Sequence, residues 1–420
     1  MRTATTTTFL ALLAATTTAQ DAATDAKTLA TACNRFAADL HAAMAPNGAP
    51  TASPGSIAIA LCMLLPGARG ETAAELQKAL HLPVEFTGDR LHVAAARMLD
   101  DLGIRTPRPD AESTVLKVTN DLWTARSFEV VPAYAELLRT SFAASHHSVD
   151  FAGDPQAARA AINAHVKTHT NGRIPELVPV DLIGRDTRVV LTNAIWLKAA
   201  WLHAFAERGT KPAPFHFADG SSADVPTMQI ANEFAFAEND AWQCVVLPFD
   251  DHALVCEVIL PRAGHTLTEA EAVLLQGTHL ATLAEARVHV KLPRFRTMGS
   301  CRLREALLAL GIRSAFGGAD FSGIATNEPL VVGDVVHQTW IQVDEKGAEA
   351  AGATAVVLKR GGEAAKPVHT FTADRPFAFT LRDRRTGLVL FLGRVDDPRA
   401  TAATVPPMKA KPPKSAPSRG

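Results

Sequence analysis

The first half of the chain carries apolar side chains at every third or fourth position, the spacing that lets an α-helix bury one face. The stretch that begins at Gly70 places acidic residues in a first helical turn, where the helix dipole favours them. Asn171-Gly172 provides a stop signal after another stretch. This pattern predicts helices over residues 27–46, 70–81, 90–102 and 155–168.

From Val189 onward the pattern changes to short β-rich runs bounded by Pro, Gly or Asp. A further helix is predicted over 301–310, ending at Gly311. No Pro/Gly-rich linker divides this body and no repeat occurs in it, so we predict one α+β domain over residues 28–398. The predicted strands are 189–197, 244–249, 253–260 and 287–292, with a hairpin formed by 377–381 and 388–392.

Both ends of the chain differ from this body. Residues 1–19 combine a short positive start, an apolar run over 9–15 and small residues up to Ala19, which is typical of a cleaved signal peptide. The apolar run is too short to span a membrane. We therefore expect a secreted protein, extracellular or periplasmic. Residues 399–420 are rich in Pro and Lys and are predicted to be a disordered tail.

Charge and cysteine content exclude several classes of function. Lys and Arg total 42 against 43 Asp and Glu, so no global field attracts nucleic acid or an anionic membrane, and we expect neither as a partner. The five cysteines lack C-x-x-C spacing, which argues against a metal knuckle or a dense disulfide framework. Whether any two form a disulfide stays open, and a monomer is expected. They are Cys33, Cys62, Cys244, Cys256 and Cys301.

The sequence contains no recognisable catalytic or cofactor motif. The run from Ser53 to Ile57 lacks the G-x-S-x-G pattern of a hydrolase nucleophile, and no glycine-rich nucleotide motif occurs. His165 and His169 stand one helical turn apart, but the glutamate that zinc proteases carry after the first histidine is missing. A solvated helix face is favoured there over a zinc site. We therefore predict no enzyme activity, no cofactor and no metal.

Residues 343–358 fit neither an ordinary helix nor an ordinary loop. Helix propensity alone would make the middle of this segment helical. With a period of two, however, one face contains only small or β-branched uncharged residues. Such a face can enter a packed sheet, where a bulky or charged side chain would be destabilising. The segment is either a conditional strand or an Ala-rich surface linker. The uncharged face consists of Ala348, Ala350, Gly352, Thr354 and Val356.

The run from Asp344 to Thr354 resembles the hinge of the reactive loop in serpins, the serine-protease-inhibitor superfamily. The resemblance covers about residues 30–398, and the departures are Ala199 and Ala378, where the family prefers glycine and a large apolar residue. The hinge residues are Glu345, Gly347, Ala348, Glu349, Ala350, Ala351, Gly352, Ala353 and Thr354. Family-like blocks also occur at 53–57, 191–201, 310–324 and 371–395, with Phe205, Thr210, Phe215 and Met228 at the expected intervals.

This resemblance implies a fold of three β-sheets surrounded by about nine helices, with an exposed reactive-centre loop. It also implies a suicide-substrate mechanism, in which a serine protease forms a covalent acyl complex with the loop and the freed hinge enters the central sheet. Polar residues beneath the opening sheet, the shutter, are by resemblance Ser53, Ser56, Asn193 and His337. The point where insertion begins, the breach, is by resemblance formed by Glu345, Arg294 and Trp201.

Counting the family's usual hinge length forward from Glu345 lands on Gly361, one residue past Arg360. We take Arg360-Gly361 as the scissile bond, with Leu358, Lys359 and Gly362 as alternates. An arginine at this position fits a protease with an acidic specificity pocket, so a trypsin-like target is expected. The helix over residues 90–102 is flanked and interrupted by aspartates, so no heparin activation is expected. A non-inhibitory serpin with a chaperone, carrier or storage role remains the alternative.

Overall fold

The computed structural model describes residues 4–45, 51–104, 114–327, 329–348 and 368–399, with side chains from residue 21 onward. Eight α-helices lie within these ranges. They are α1 (Ala4–Met44), α2 (Pro54–Cys62), α3 (Gly70–Ala79), α4 (Asp89–Asp101), α5 (Pro132–Phe142), α6 (Pro155–His169), α7 (Leu267–Gln276) and α8 (Arg304–Ala309).

The same ranges contain fourteen β-strands. They are β1 (Val115–Ala125), β2 (Ser145–Val149), β3 (Val189–Ala200), β4 (Lys211–His216), β5 (Ser222–Glu238), β6 (Trp242–Pro248), β7 (Leu254–Pro261), β8 (Ala284–Pro293), β9 (Phe295–Arg302), β10 (Asp334–Asp344), β11 (Gly347–Ala348), β12 (His369–Thr372), β13 (Phe377–Asp383) and β14 (Val389–Val395).

Six strands form the main sheet, in the order β2-β1-β3-β11-β10-β9. Its central pair, β3 and β10, is parallel, while β1 and β9 flank this pair in antiparallel orientation. Both central strands are buried along almost their whole length. This burial explains why β3 is a nearly continuous apolar run rather than an alternating one.

Eight strands form the second sheet, in which β12-β8-β5-β6-β7-β13-β14 are neighbours and β4 pairs with β5. The described strands thus form two continuous sheets, where the resemblance implied three. The physical reason is β5, whose 17 residues pair with β4 near one end, with β6 at the other and with β8 between, so the ladder is not interrupted. The α-helices number eight rather than about nine, and the other described helical segments are 3₁₀ turns. The α+β class is confirmed.

Helix α2 lies inside the molecule, between the main sheet and the C-terminal hairpin of β13 and β14. All nine of its residues are buried, which agrees with its lack of a polar face. The helix begins at Pro54, and the Ser53 side chain accepts a hydrogen bond from the Ser56 amide as an N-cap. This position brings two serines to the inner face of the main sheet.

Helix α6 packs on β1, on the outer face of the main sheet. The segment that follows it, residues 170–188, which we call the strap, continues across the same face. The Arg173 guanidinium lies 4.9 Å from the ring centroid of Trp340 on β10. Asp181 pairs with Arg302 on β9 at 2.6 Å. Helix α6 and the strap therefore span the sheet from β1 to β9.

Most predicted elements are confirmed, with shifted ends. The predicted helices over 70–81, 90–102 and 155–168 correspond to α3, α4 and α6, and the first predicted helix is part of the longer α1. The four predicted strands and the hairpin are present as well. The helix predicted from residue 301 is corrected, because Cys301 and Arg302 pair with β10 and α8 begins only at Arg304.

The sequence pattern did not identify β1, α5 or α7. A capping box formed by Thr266 and Glu269 marks the start of α7 and was a readable signal. All five cysteines lie in the described part of the chain and none is in a disulfide there. Among the described helices, none has the length and apolar character needed to cross a membrane.

Candidate functional site

The two central strands of the main sheet are separated at one end by a short strand of two residues. The short strand β11 lies between β3 and β10 at one end, with Ala348 opposite Ala199 on one side and Val343 on the other. Beyond it, β3 and β10 pair directly with each other, from Trp196 opposite Trp340 to Val190 opposite Asp334. We call this contact between β3 and β10 the seam.

Gly347 and Ala348 belong to the predicted hinge, and both are buried in the sheet. Gly347 has φ +145°, and a Cβ atom there would lie 2.0 Å from the Ala199 carbonyl oxygen, so the close approach of β11 to β3 requires glycine. Ala199, one of the two departures from the family pattern, is fully buried beside the hinge. Its methyl group is accommodated at this junction.

The predicted breach residues do meet at the end of the seam. The Arg294 guanidinium donates two hydrogen bonds to the Glu345 carboxylate, at 2.8 and 2.5 Å. Thr210 donates a further hydrogen bond to the same carboxylate oxygen. The Trp201 indole N–H donates to the Asp344 carbonyl at 2.9 Å, and its ring stacks on Phe249 with centroids 4.6 Å apart. The loop that leads from β10 into the hinge is therefore fixed at both its side chains and its backbone.

Glu345 is ionised in this environment. Burial by itself would raise the pKa of its carboxyl group, since it disfavours the charged form. The hydrogen bonds from Arg294 and Thr210 outweigh burial and hold the pKa below its usual range. The bond to Arg294 is therefore charge-assisted on both sides.

The predicted shutter residues join β3, β10 and α2 at the middle of the seam. The Ser53 amide donates to His337 Nε2 at 2.9 Å, and His337 Nδ1 lies 2.5 Å from Asn193 Oδ1. Because Nε2 accepts, the proton sits on Nδ1, which donates to Asn193. All three residues are completely buried. The imidazole thus bridges the two strands of the seam and attaches them to α2.

Asn193 extends this network to the neighbouring strand β1. Its amide nitrogen donates to Asn120 Oδ1 on β1 at 2.5 Å and also contacts the hydroxyl of Ser56. The Ser53 hydroxyl donates to the Leu390 carbonyl on β14. Every shutter residue is therefore satisfied without water, and the network links three strands of the main sheet with the C-terminal hairpin.

Burial keeps His337 neutral. It lowers the pKa of the imidazole from 6.5 to about 3 and outweighs the hydrogen bond at Asn193, which acts in the opposite direction. A protonated ring would also lose its ability to accept from Ser53.

The structure brings together the shutter and breach residues predicted from the sequence. Three further polar residues contribute that were not assigned to the site from the sequence: Asn120 and Thr210, described above, and Thr339, which donates to the Thr51 carbonyl at 2.9 Å. Asn120 was missed because its strand, β1, was not predicted from the sequence. The remaining predicted hinge and reactive-site residues lie outside the described residues: Glu349, Ala350, Ala351, Gly352, Ala353, Thr354, Leu358, Lys359, Arg360, Gly361 and Gly362.

The histidine pair on α6 is not uniformly solvated. His169 is exposed, as expected for a solvated helix face, whereas His165 is half-buried and faces the main sheet. Its ring lies against Trp123 and His147, with centroid distances of 5.4 and 4.6 Å. The interpretation as a solvated face therefore holds for His169 only.

Comparisons with known proteins agree with this architecture. The family model described as serpin (serine protease inhibitor) matches residues 31–398. An uncharacterized serpin-like protein of Thermococcus kodakarensis is 36% identical over 89% of this chain and 86% of its own length. The leukocyte elastase inhibitor of Bos taurus is 34% identical over 88% of this chain and 99% of its own length.

Among solved structures, human thyroxine-binding globulin complexed with its hormone matches with a TM-score of 0.79. The match covers 89% of this chain and 99% of that one at 24% sequence identity. At this identity the comparison shows that the two proteins share a fold.

We predict that Arg294→Met destabilises the protein by about 1–3 kcal/mol, because it leaves a buried carboxylate with one neutral partner. Arg296→Met is the matched control, since Arg296 lies two residues away and donates to the uncharged Gln342. Its expected effect is within about 0.5 kcal/mol. Urea unfolding of both variants provides the measurement, and equal losses would contradict the role assigned to Glu345.

We also predict that acid weakens the shutter. The unfolded chain binds a proton at His337 below pH 6.5, while the folded chain resists protonation down to about pH 3. Stability from His337 is therefore complete above pH 6.5 and is lost as pH falls toward 3, by about 2 kcal/mol at pH 5. Urea unfolding of wild type and His337→Gln at pH 7.5 and 5 isolates this contribution. The wild type should lose more stability than the variant, and parallel losses would refute the assignment.

Proposed function

The chain belongs to the serpin family, and from this membership we propose that it is a secreted suicide-substrate inhibitor of a trypsin-like serine protease. The family model is described as serine protease inhibitor, and one relative is named as an inhibitor of leukocyte elastase. The observation that carries the proposal is the seam, where β11 already occupies the first positions of an additional strand between β3 and β10.

The register of β11 indicates how the rest of the hinge would enter. Gly347 and Ala348 pair with Ala200 and Ala199 on β3, and with Asp344 and Val343 on β10. Continuing the same register would place Ala350 between Leu197 and Ile341, which are both fully buried. It would place Thr354 between Asn193 and His337.

This register also agrees with the alternation of residue types along the hinge. The residues that would point into the core are Ala348, Ala350, Gly352, Thr354 and Val356, the uncharged face found in the sequence. Glu349 would point to the outer face, beside the partly exposed Lys198 and Gln342. A hinge with this alternation can enter without burying a charge. Strand addition of this kind is the established behaviour of serpin reactive loops.

For the target we propose a protease that cleaves after Arg360. Its catalytic serine attacks the Arg360 carbonyl carbon, the bond to the Gly361 nitrogen breaks, and the freed amine leaves with a proton while Arg360 remains as an ester on the protease. Lys359, Leu358 and Gly362 are the alternate positions. The relative named as an inhibitor acts on leukocyte elastase, whereas an arginine here favours a protease with an acidic pocket.

We further propose that inhibition is independent of heparin. The two arginines of α4 are engaged in ion pairs, Arg90 with Asp25 at 2.8 Å and Arg97 with Asp101 at 3.1 Å. They do not form an unpaired basic stripe on this helix. The alternative, a non-inhibitory carrier, storage protein or chaperone, differs in one respect that can be measured, since it would form no covalent complex with a protease.

We predict that Ala350→Arg converts the inhibitor into a substrate. In the proposed register this side chain would lie between two fully buried residues, where an unpaired guanidinium is strongly destabilising, so insertion should stop. Glu349→Arg is the matched control, since the same side chain would point to the outer face. With trypsin, the control should retain an SDS-stable complex, and Ala350→Arg should be cleaved without one. Complex formation by both variants would contradict the proposed register.

We predict that trypsin and the wild-type chain form an SDS-stable complex and release a C-terminal peptide that begins at Gly361. Mass spectrometry of this peptide identifies the scissile bond. Arg360→Ala should abolish the complex with trypsin, because the specificity pocket loses its charged partner. Cleavage before Leu358 or after Glu363 would refute the assigned bond, and the absence of any complex would favour the non-inhibitory alternative.

A further inference from the structure

Three side chains with metal-binding atoms converge where α6 packs on the main sheet. They come from three different elements: Asp121 from β1, His147 from β2 and His165 from α6. In the parallel pair of β1 and β2, Trp123 lies opposite His147. Asp121 lies two residues before Trp123 on the same strand. Helix α6 supplies the third group from above. Helix α6, the edge strand β2 and its neighbour β1 thus each contribute one ligand atom.

The distances in this cluster suit a single metal ion. His147 Nε2 lies 3.0 Å from Asp121 Oδ1, and His165 Nε2 lies 3.1 Å from Asp121 Oδ2. All three ligand atoms lie within 4.8 Å of one another. Ligand atoms at about 2.0–2.2 Å from a tetrahedral zinc ion are themselves a little over 3 Å apart. Small side-chain rotations would therefore bring these atoms to a common ion.

The carboxylate is not fully satisfied by protein groups. Asp121 is 2% exposed, and its Oδ2 atom has no hydrogen-bond partner of acceptable geometry among the described residues, although His165 lies at ion-pair distance. A buried charged oxygen without such a partner is unfavourable. This oxygen points into the cluster, where a cation would complete its coordination.

The imidazole of His147 is held in place by stacking on Trp123, with ring centroids 4.1 Å apart and planes 19° from parallel. The Trp123 indole is itself fixed by a hydrogen bond to Thr192 at 2.9 Å. The ligands are therefore oriented by the fold before any ion arrives, which lowers the cost of binding.

We infer that Asp121, His147 and His165 form a binding site for zinc or a similar divalent transition metal. Two imidazoles and one carboxylate, with a fourth position left to water, are a common zinc ligand set. Imidazole ligands favour zinc, copper and nickel over calcium and magnesium. The sequence alone did not reveal this site, because its three residues are far apart in the chain and no local spacing pattern connects them.

The position of the site gives it a consequence for the seam. Widening the main sheet by one strand moves β1 and β2 away from β10 and β9 by about 4.8 Å. Helix α6 and the strap span this distance and are anchored at the far side through Arg173 and Asp181. They must therefore detach from one side when a strand enters. A metal ion that joins α6 to β1 and β2 opposes detachment on that side. Release from β10 and β9 is then the only remaining route, so insertion is slowed.

The metal site is tested by measuring the binding of Co²⁺ and Zn²⁺ to the full chain. This measurement does not depend on protease inhibition. Co²⁺ should give a four-coordinate visible spectrum and quench Trp123 fluorescence, and Zn²⁺ should displace it. His165→Gln and Asp121→Asn should weaken binding by about tenfold or more. His169→Gln, one turn further along the same helix, is the matched control and should bind as the wild type does.

The inferred metal site would be refuted if the wild type bound no metal, or if His165→Gln bound it as tightly as the wild type. Asp121, His147 and His165 would then be a hydrogen-bonded trio only. The effect on insertion rests on the proposed inhibitory function and is measured separately, as the number of inhibitor molecules consumed per trypsin molecule inhibited. Zn²⁺ should raise this number for the wild type and for His169→Gln but not for His165→Gln. An unchanged number in the presence of bound zinc refutes the effect on insertion, while failure to inhibit without zinc refutes the proposed function alone.

Discussion

The hydrogen bond between Asn193 and His337 is the contact on which the rest of the main sheet depends. It joins the two central strands inside a region that water does not reach, and each partner is held by a group on another element: Asn193 by Ser56 and Asn120, His337 by the Ser53 amide. Separating the strands would leave several buried polar groups without partners, at about 1–3 kcal/mol each. In the register continued from β11, however, the Thr354 hydroxyl would arrive between these same two residues. The contact therefore opposes opening of the sheet and provides partners for the strand that would enter.

The breach lies at one end of the seam, while α6 and the strap cover the outer face of the main sheet. At one end, Glu345 is held by Arg294 and Thr210, and Gly347 allows β11 to approach β3 closely, so the first two positions of an added strand are already formed. Over the middle of the sheet, α6 and the strap span the outer face and must move before the sheet can widen. In the proposed insertion, the start would need little rearrangement, whereas the continuation would require the shutter contacts to break and the strap to move.

The α+β class, the strands β3, β6, β7 and β8 and the C-terminal hairpin could be predicted from the sequence, because continuous apolar runs and turn residues are local signals. The shutter and breach residues were found by resemblance to a family, since no local pattern shows that Ser53 meets His337 across 284 positions. The strand β1 was missed, and with it Asn120 and Asp121, because its polar residues interrupt the alternation expected of a strand. These residues are buried only because other elements supply partners for them, which a reading of single segments does not reveal.

The attachment of Ser53 to the carbonyl of Leu390 connects residues near the two termini of the folded body. A chain emerging from the ribosome carries Ser53 long before Leu390 exists, so the central helix cannot take its final place until synthesis is almost complete. Long-range contacts of this kind form slowly. The protein is therefore expected to remain incompletely folded during most of its synthesis. In the proposed secretion, the chain could cross a membrane in that state and complete its folding on the other side.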